Sequence, residues 1–246
     1  VIAYDSRNNS DVFAEATARI FAANGIKAYL FSALRPTPEL SFAIRELKAD
    51  TGVVVTASHN PPMYNGYKAY WNNGAQVTEP HDKGIIDEVN KVTDVKTLSK
   101  DEAIKSGMLV MLGKEMDDKF WAMCKAQLFR PELIRDYAKN VKIVYTPLHG
   151  TGALHVETVL GELGLKVITV PEQREPDGNF PTVEKPNPEE APALKLALEL
   201  GAKEKADCVM ATDPDADRFG SAFPDKDGKF VLVDGNQMGA LLLEYV

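Results

Sequence analysis

The chain has 246 residues, 44% hydrophobic and 26% charged, the make-up of an ordinary soluble globular protein of one or two domains with enough length to bury a real core. A formal net charge of −8 disfavours nonspecific binding to nucleic acid or an anionic membrane. No apolar run approaches the roughly 20 residues that span a bilayer, and nothing resembles a signal peptide.

Val1 to Tyr4 reads as a buried strand. Ser10 is the expected N-cap of a helix carrying Phe13, Ala16, Thr17, Ile20 and Phe21 at helical spacing, stopped by Gly25. Lys27 to Phe31 is a second strand. Thr37 and Pro38 open a helix as N-cap and first helical residue, burying Leu40, Ala43, Ile44 and Leu47. A third strand, Gly52 to Val55, runs straight into Thr56-Ala57-Ser58-His59-Asn60-Pro61. Next come a hairpin over Tyr67–Val77, turning at Asn72-Asn73-Gly74, and a helix with Ile85, Ile86, Val89 and Val92. Helices around Met116–Gln127 and Pro131–Asn140 bridge to a second domain.

The pattern then repeats. Val141 to Tyr145 is a strand, and His149-Gly150-Thr151-Gly152 leads into a helix with Val156, Val159, Leu160 and Leu163, stopped by Gly164. Lys166 to Val170 is the next strand, Asn187-Pro188 opens a helix, and Asp207 to Ala211 is the third strand, running into Thr212-Asp213-Pro214-Asp215-Ala216-Asp217-Arg218. Asp234-Gly235-Asn236-Gln237 begins a further helix. Superposing the halves puts the serine loop and the aspartate loop at equivalent places, each after the third strand of its unit. Ligands of open α/β sheets bind outside the carboxyl ends of strands, so two such loops can serve one cleft. The predicted fold class is α/β: two similar α/β/α domains with mixed sheets, 1–114 and 115–232, and the start of a third at 233–246.

Cys124 and Cys208 stand far apart in apolar stretches, with no CxxC pair, and are expected to be small core residues in a reducing compartment. The cytoplasm is therefore the default location. The chain opens at Val1 inside an apolar run and stops at Val246 inside another, without a helix-stop signal, so an excerpt of a longer polypeptide is expected.

Asp213, Asp215 and Asp217 form a D-x-D-x-D ladder ending in Arg218. Closely spaced carboxylates repel, and the arrangement is comfortable around a hard cation with oxygen ligands. A solvated acidic turn is the plain alternative. An EF-hand fails, because Arg218 stands where its glycine belongs, Pro224 where its glutamate belongs, and a strand precedes the loop. Three carboxylates leave coordination positions open, which suits Mg²⁺ sharing its shell with a phosphate. The serine loop, taken alone, is equally a strand exit made of turn formers. A serine hydroxyl is a poor nucleophile unless activated, and no G-x-S-x-G elbow surrounds Ser58. Beside a metal loop it makes more sense as a carrier of phosphate.

Thr56-Ala57-Ser58-His59-Asn60-Pro61, Asn65-Gly66-Tyr67-Lys68 and Asp213-Pro214-Asp215-Ala216-Asp217-Arg218, in this order, resemble the α-D-phosphohexomutases, the phosphoglucomutase/phosphomannomutase group. Tyr4-Asp5-Ser6-Arg7, Pro36-Thr37-Pro38, His149-Gly150-Thr151-Gly152 and Pro186-Asn187-Pro188-Glu189 extend the likeness over essentially the whole chain. Tyr70–Val77 and Pro80–Gly84 are similar to the longer-chain branch that includes phosphoglucomutases and phosphopentomutases.

The resemblance implies four domains around one cleft, of which this chain carries most of the first, the second and the opening helix of the third. It implies a phosphorylated Ser58 that exchanges its phosphoryl group with a sugar monophosphate through a bisphosphate intermediate, which also primes the enzyme. By the same resemblance Ser58, Asp213, Asp215 and Asp217 hold one Mg²⁺, and Ser58, His59 and Lys68 are catalytic. Arg218 and Arg7 bind substrate phosphate. The partner is a small sugar phosphate, with neither nucleic acid nor membrane. Three other readings stand beside it: a phosphopentomutase of the same family, a magnesium phosphatase phosphorylated on Asp213 or Asp215, and a sugar-phosphate-binding module without turnover of its own.

Overall fold

The computed structural model describes all 246 residues and divides into two compact units, Val1–Ala57 with Asn65–Asp117, and Ser58–Tyr64 with Asp118–Val246. In the first unit, β1 (Ile2–Tyr4), α1 (Ser10–Ala23), β2 (Ala28–Phe31), α2 (Thr37–Glu46), β3 (Thr51–Val55) and β4 (Tyr67–Trp71) follow one another. The helices α3 (His81–Val89) and α4 (Lys100–Lys105) and the strand β5 (Leu109–Leu112) complete it. The sheet runs β4-β3-β1-β2-β5, with only β4 antiparallel to its neighbour. Both faces are covered, which is why Val53-Val54-Val55 is a continuous apolar run. Val53 and Val55 pack towards α1, and Val54 points to the opposite face, against Leu40, Ala43 and Ile44 of α2.

Helix α1 corrects two expectations. The residue at its N-cap is Asn9, in the left-handed region at φ 65, and Ser10 is already helical, its hydroxyl donating to Asp5 Oδ1 at 2.9 Å instead of capping. Its buried face is Ser10, Ala14, Ala18 and Ala22, while Phe13 lies 48% exposed. The i, i+4 alanines let the helix axis approach the sheet closely, and the larger residues flank that seam. In α2, Thr37 is the first helical residue and Pro36 stands at the cap position, one residue earlier than expected. Helix α3 buries none of its residues, and Ile85, Ile86, Val89 and Val92 are all exposed.

Helix α5 (Lys114–Ala126) is followed by α6 (Pro131–Tyr137) and a 3₁₀ turn at Ala138–Asn140. The second unit then holds β6 (Lys142–Thr146), α7 (Gly152–Glu162), β7 (Lys166–Thr169), α8 (Pro171–Arg174), α9 (Lys195–Glu204), β8 (Cys208–Thr212), β9 (Phe219–Pro224), β10 (Phe230–Val233) and α10 (Gly235–Tyr245). Its sheet runs β10-β9-β8-β6-β7. Strands β8, β6 and β7 are parallel, and β9 turns back antiparallel on β8, as β4 does on β3. The two four-strand cores thus share one order, and the serine and aspartate loops leave corresponding strands. The first sheet is extended beyond β2 by β5, the second beyond β9 by β10.

Asn187-Pro188 opens no helix, contrary to expectation. Helix α9 starts only at Lys195, because Pro192 offers no N–H and its ring would clash with the carbonyl four residues earlier. The segment forms turns instead, with Asn187 Oδ1 accepting from Glu189 N at 3.2 Å. Helix α10 is capped by a reciprocal box in which Asp234 accepts from Gln237 N and Gln237 accepts from Asp234 N. No helix is long and apolar enough to cross a membrane.

Candidate active site

The second unit gathers Ser58, His59, Asp213, Asp215, Asp217 and Arg218. Strand β8 ends at Thr212 and the chain turns at once, with Ala216 N donating to Asp213 O at 2.9 Å and Ala216 in the left-handed region at φ 52. The turn folds the three carboxylates towards one another, so that one oxygen from each lies within 4.8 Å of the others. Asp213 and Asp215 are fully buried, and Asp217 is exposed. Asp213 accepts the Arg218 backbone N–H at 3.0 Å on one oxygen and the Ser58 hydroxyl at 2.8 Å on the other.

Burial first, and the Asp215 charge second, push the Asp213 carboxyl up to about 8. Two buried carboxylates at this separation do not both ionise without a neutralising charge. A hard divalent cation with oxygen ligands supplies that charge, so the donor set fits Mg²⁺.

A second loop holds the aspartate turn from behind. Thr151 donates to Pro214 O from both its N–H and its hydroxyl, each at 2.9 Å. A Cβ on Gly150 would stand 2.3 Å from Pro214 Cα, a backbone atom that cannot step aside. On Gly152 it would meet the Tyr145 hydroxyl, which is itself bonded to Thr212 Oγ1 at 2.7 Å. His149 anchors the far side of this loop, its Nε2 lying 2.8 Å from Thr182 Oγ1. The glycines and His149 therefore seat the aspartate loop. Gly150→Ala is expected to lower stability by about 1–3 kcal/mol and to weaken Mg²⁺ binding, read by thermal melts with and without the ion. Gly161→Ala, where a Cβ meets nothing within 4 Å, should leave the binding alone.

Ser58 sits at φ 52, an uncommon conformation for a residue with a side chain, and is half-buried. Its Oγ lies 3.1 Å from His59 Nδ1. Burial, then the charges of Arg218 and Lys185, depress the His59 pKa below the usual imidazole value, so the ring is neutral at pH 7. Arg218 makes an ion pair from Nη1 to Glu189 Oε2 at 3.1 Å.

Arg7 and Lys68 belong to the first unit. Arg7, expected to meet substrate, is only 3% exposed. Its Nε lies 3.4 Å from Asp5 Oδ2, and its Nη2 donates to Ala57 O at 3.4 Å. Asp5 also accepts from Thr56 Oγ1 at 2.7 Å and from Ser10 Oγ at 2.9 Å. As it stands, Arg7 braces the exit of β3 together with Asp5. Lys68 is half-buried on β4, paired in register with Val54. Asp5, Thr151 and Glu189 lie in stretches that extend the family likeness but were assigned no role of their own. Asp5 had the clearest signal, an acid directly after a buried strand.

Comparison with known proteins agrees with these observations. Residues 1–96 match the family model of phosphoglucomutase/phosphomannomutase α/β/α domain I, and residues 119–228 match that of domain II. The chain is 40% identical to a probable phosphomannomutase of Haemophilus influenzae, over all of this chain and 50% of that one. It is 38% identical to a phosphopentomutase of Homo sapiens, over 98% of this chain and 41% of that one. The chain thus spans half or less of the length of these relatives. The fold is that of a phosphoglucomutase/phosphomannomutase family protein from Burkholderia thailandensis, at a TM-score of 0.72 and 24% identity over 94% of this chain and 47% of that one. On both domain matches and these relatives, the chain belongs to the phosphoglucomutase/phosphomannomutase family, the α-D-phosphohexomutases.

Proposed function

We propose that this chain carries the phosphoserine and the metal-binding loop of a phosphohexomutase that interconverts glucose 1-phosphate and glucose 6-phosphate, or the mannose equivalents. The observation that carries the reading is the 2.8 Å hydrogen bond from Ser58 Oγ to Asp213 Oδ2, which joins the one candidate nucleophile to the acidic triad. The relatives named phosphomannomutase and phosphopentomutase support the same reaction class.

In the forward half-reaction, phosphorylated Ser58 loses its phosphoryl group to a hydroxyl of the sugar monophosphate. The P–Oγ bond breaks, a P–O bond to the sugar forms, and the hydroxyl proton ends on Ser58 Oγ. In the return half-reaction, Ser58 Oγ attacks the other phosphoryl group of the bisphosphate, and the sugar oxygen leaves with the proton. His59, neutral and beside Oγ, is placed to relay the proton onto Oγ in the first step and off it in the second. Asp213, Asp215 and Asp217, together with a phosphoserine oxygen, would hold the Mg²⁺, which would supply positive charge to offset that of the phosphoryl group. Arg218 grips phosphate, and the family likeness gives Lys68 transition-state stabilisation or proton transfer, while Arg7, buried beside Asp5, braces the exit of β3.

A coupled assay of the intact protein on glucose 1-phosphate, mannose 1-phosphate and ribose 1-phosphate, with and without glucose 1,6-bisphosphate as primer, tests the proposal. Turnover of a hexose phosphate that depends on Mg²⁺ and rises with the primer is expected. A clear preference for ribose 1-phosphate would move the assignment to a phosphopentomutase. Release of inorganic phosphate without isomerisation would replace it with a phosphatase.

A further inference from the structure

We propose that Glu189 is a positioning residue, holding the Arg218 guanidinium off the aspartate triad and ready for an incoming phosphate; the inference rests on the assignment of Arg218 to phosphate binding above. An arginine that begins beside three carboxylates has a competing use, because it could lie on them in place of the cation. Its backbone N–H already donates to Asp213 Oδ1 at 3.0 Å, so the side chain leaves from the edge of the metal loop. Glu189 Oε2 receives its Nη1 at 3.1 Å, a carboxylate partner outside the ladder. The two positive charges a phosphoryl group needs are thereby kept apart, with the carboxylates left for the cation and the guanidinium for the phosphate.

The carboxylate that does this is delivered by a built turn. Asn187, only 7% exposed, accepts from Glu189 N at 3.2 Å and donates to Glu190 Oε1 at 3.0 Å. Pro188 lies against β9 so closely that a Cβ on Gly220 would stand inside its carbonyl oxygen, at 1.9 Å. Any larger residue at 220 would lift the turn, and Glu189 with it. The other Glu189 oxygen lies by the first residue of α10, 3.3 Å from where a Gly235 Cβ would be, and the positive end of that helix favours a carboxylate there. Arg218 and Glu189 side chains are 39% and 41% exposed. A pair in that setting is weak and easily exchanged, as suits a guanidinium that must leave its carboxylate for a phosphate dianion.

A double-mutant cycle on the intact protein, with glucose 1-phosphate and saturating Mg²⁺, tests the proposal together with the Arg218 side-chain Nε–H signal in ligand-free NMR spectra. Glu189→Ala is expected to lower kcat/KM about two- to fivefold, the scale of one exposed charged pair, mainly by raising KM. Glu189→Gln, which keeps an acceptor, should recover part of the loss. In an Arg218→Ala background Glu189→Ala should cost nothing further, and in the wild-type background it should shift the Arg218 signal and speed its hydrogen exchange. An equal cost of Glu189→Ala with and without Arg218 would overturn the proposal, since the turn would then act only on folding. An unmoved Arg218 signal would overturn it whatever the activity. A wild-type protein that turns over no sugar phosphate would sink the mutase reading instead, and the NMR result would still decide the contact.

Discussion

Asp213→Asn should abolish tight Mg²⁺ binding while making the metal-free protein more stable at pH 8. The two effects have one origin. Burial and the neighbouring Asp215 raise the folded-state pKa of Asp213 from 3.8 to about 8. A carboxyl raised on folding contributes its stability below its unfolded pKa, and that contribution is lost as pH climbs through the folded value. Asp213's own contribution to the stability of the metal-free protein should therefore be greatest near pH 4 and fall away towards pH 8. Asparagine carries no charge to bury, so the variant should melt higher than wild type at pH 8 and alike at pH 4. Magnesium reverses the order. Binding displaces the proton, so wild-type affinity should rise between about pH 6 and 8, and the ion should raise the wild-type melting temperature but not the variant's. Removing a direct ligand is expected to cost about a hundredfold or more in affinity, beyond the loss seen for outer partners. Calorimetric titration and melts at both pH values read all of this. A variant that binds Mg²⁺ as tightly as wild type would remove Asp213 from the metal site.

Ser58→Ala should reduce phosphoryl transfer by on the order of 10⁴-fold or more, the scale at which an enzyme loses its nucleophile. Alanine removes Oγ, the atom that meets Asp213 Oδ2 and lies beside His59 Nδ1, and leaves the triad itself intact. Mg²⁺ affinity should accordingly stay within a fewfold of that of the dephosphorylated wild-type protein, since only the phosphoserine oxygen is lost from the ion's shell, which separates loss of the phosphate carrier from collapse of the site. A phosphatase phosphorylated on an aspartate would tolerate the same substitution, so retained turnover would favour that chemistry.

The features legible in the sequence were those written locally. Val53-Val54-Val55 and Val209-Met210-Ala211 are apolar runs that end in loops rich in functional groups, and the matching sheet orders follow from two copies of one strand–helix rhythm. What local pattern did not carry was contact across long separations. Helix α1 turns its small residues inward because the sheet lies close, so the larger Phe13 and Ile20 misdirected the periodicity. Strand β5 is four residues, Leu109–Leu112, recognisable only through its pairing with β2 some eighty positions earlier. The motif Pro186-Asn187-Pro188-Glu189 was noticed, but its use as a turn set against Gly220 requires β9 in place. Arg218 was expected to grip phosphate. Its pairing with Glu189, 29 residues away, depends on that turn.

The central claim is that phosphate resides on Ser58. Incubating the protein with glucose 1,6-bisphosphate and Mg²⁺, then mapping peptides by mass spectrometry, measures this directly. One phosphoryl group on the peptide carrying Ser58, absent from Ser58→Ala and stable to hydroxylamine, is the predicted result. A hydroxylamine-labile phosphate on the peptide carrying Asp213 and Asp215, with Ser58 unmodified, would contradict it.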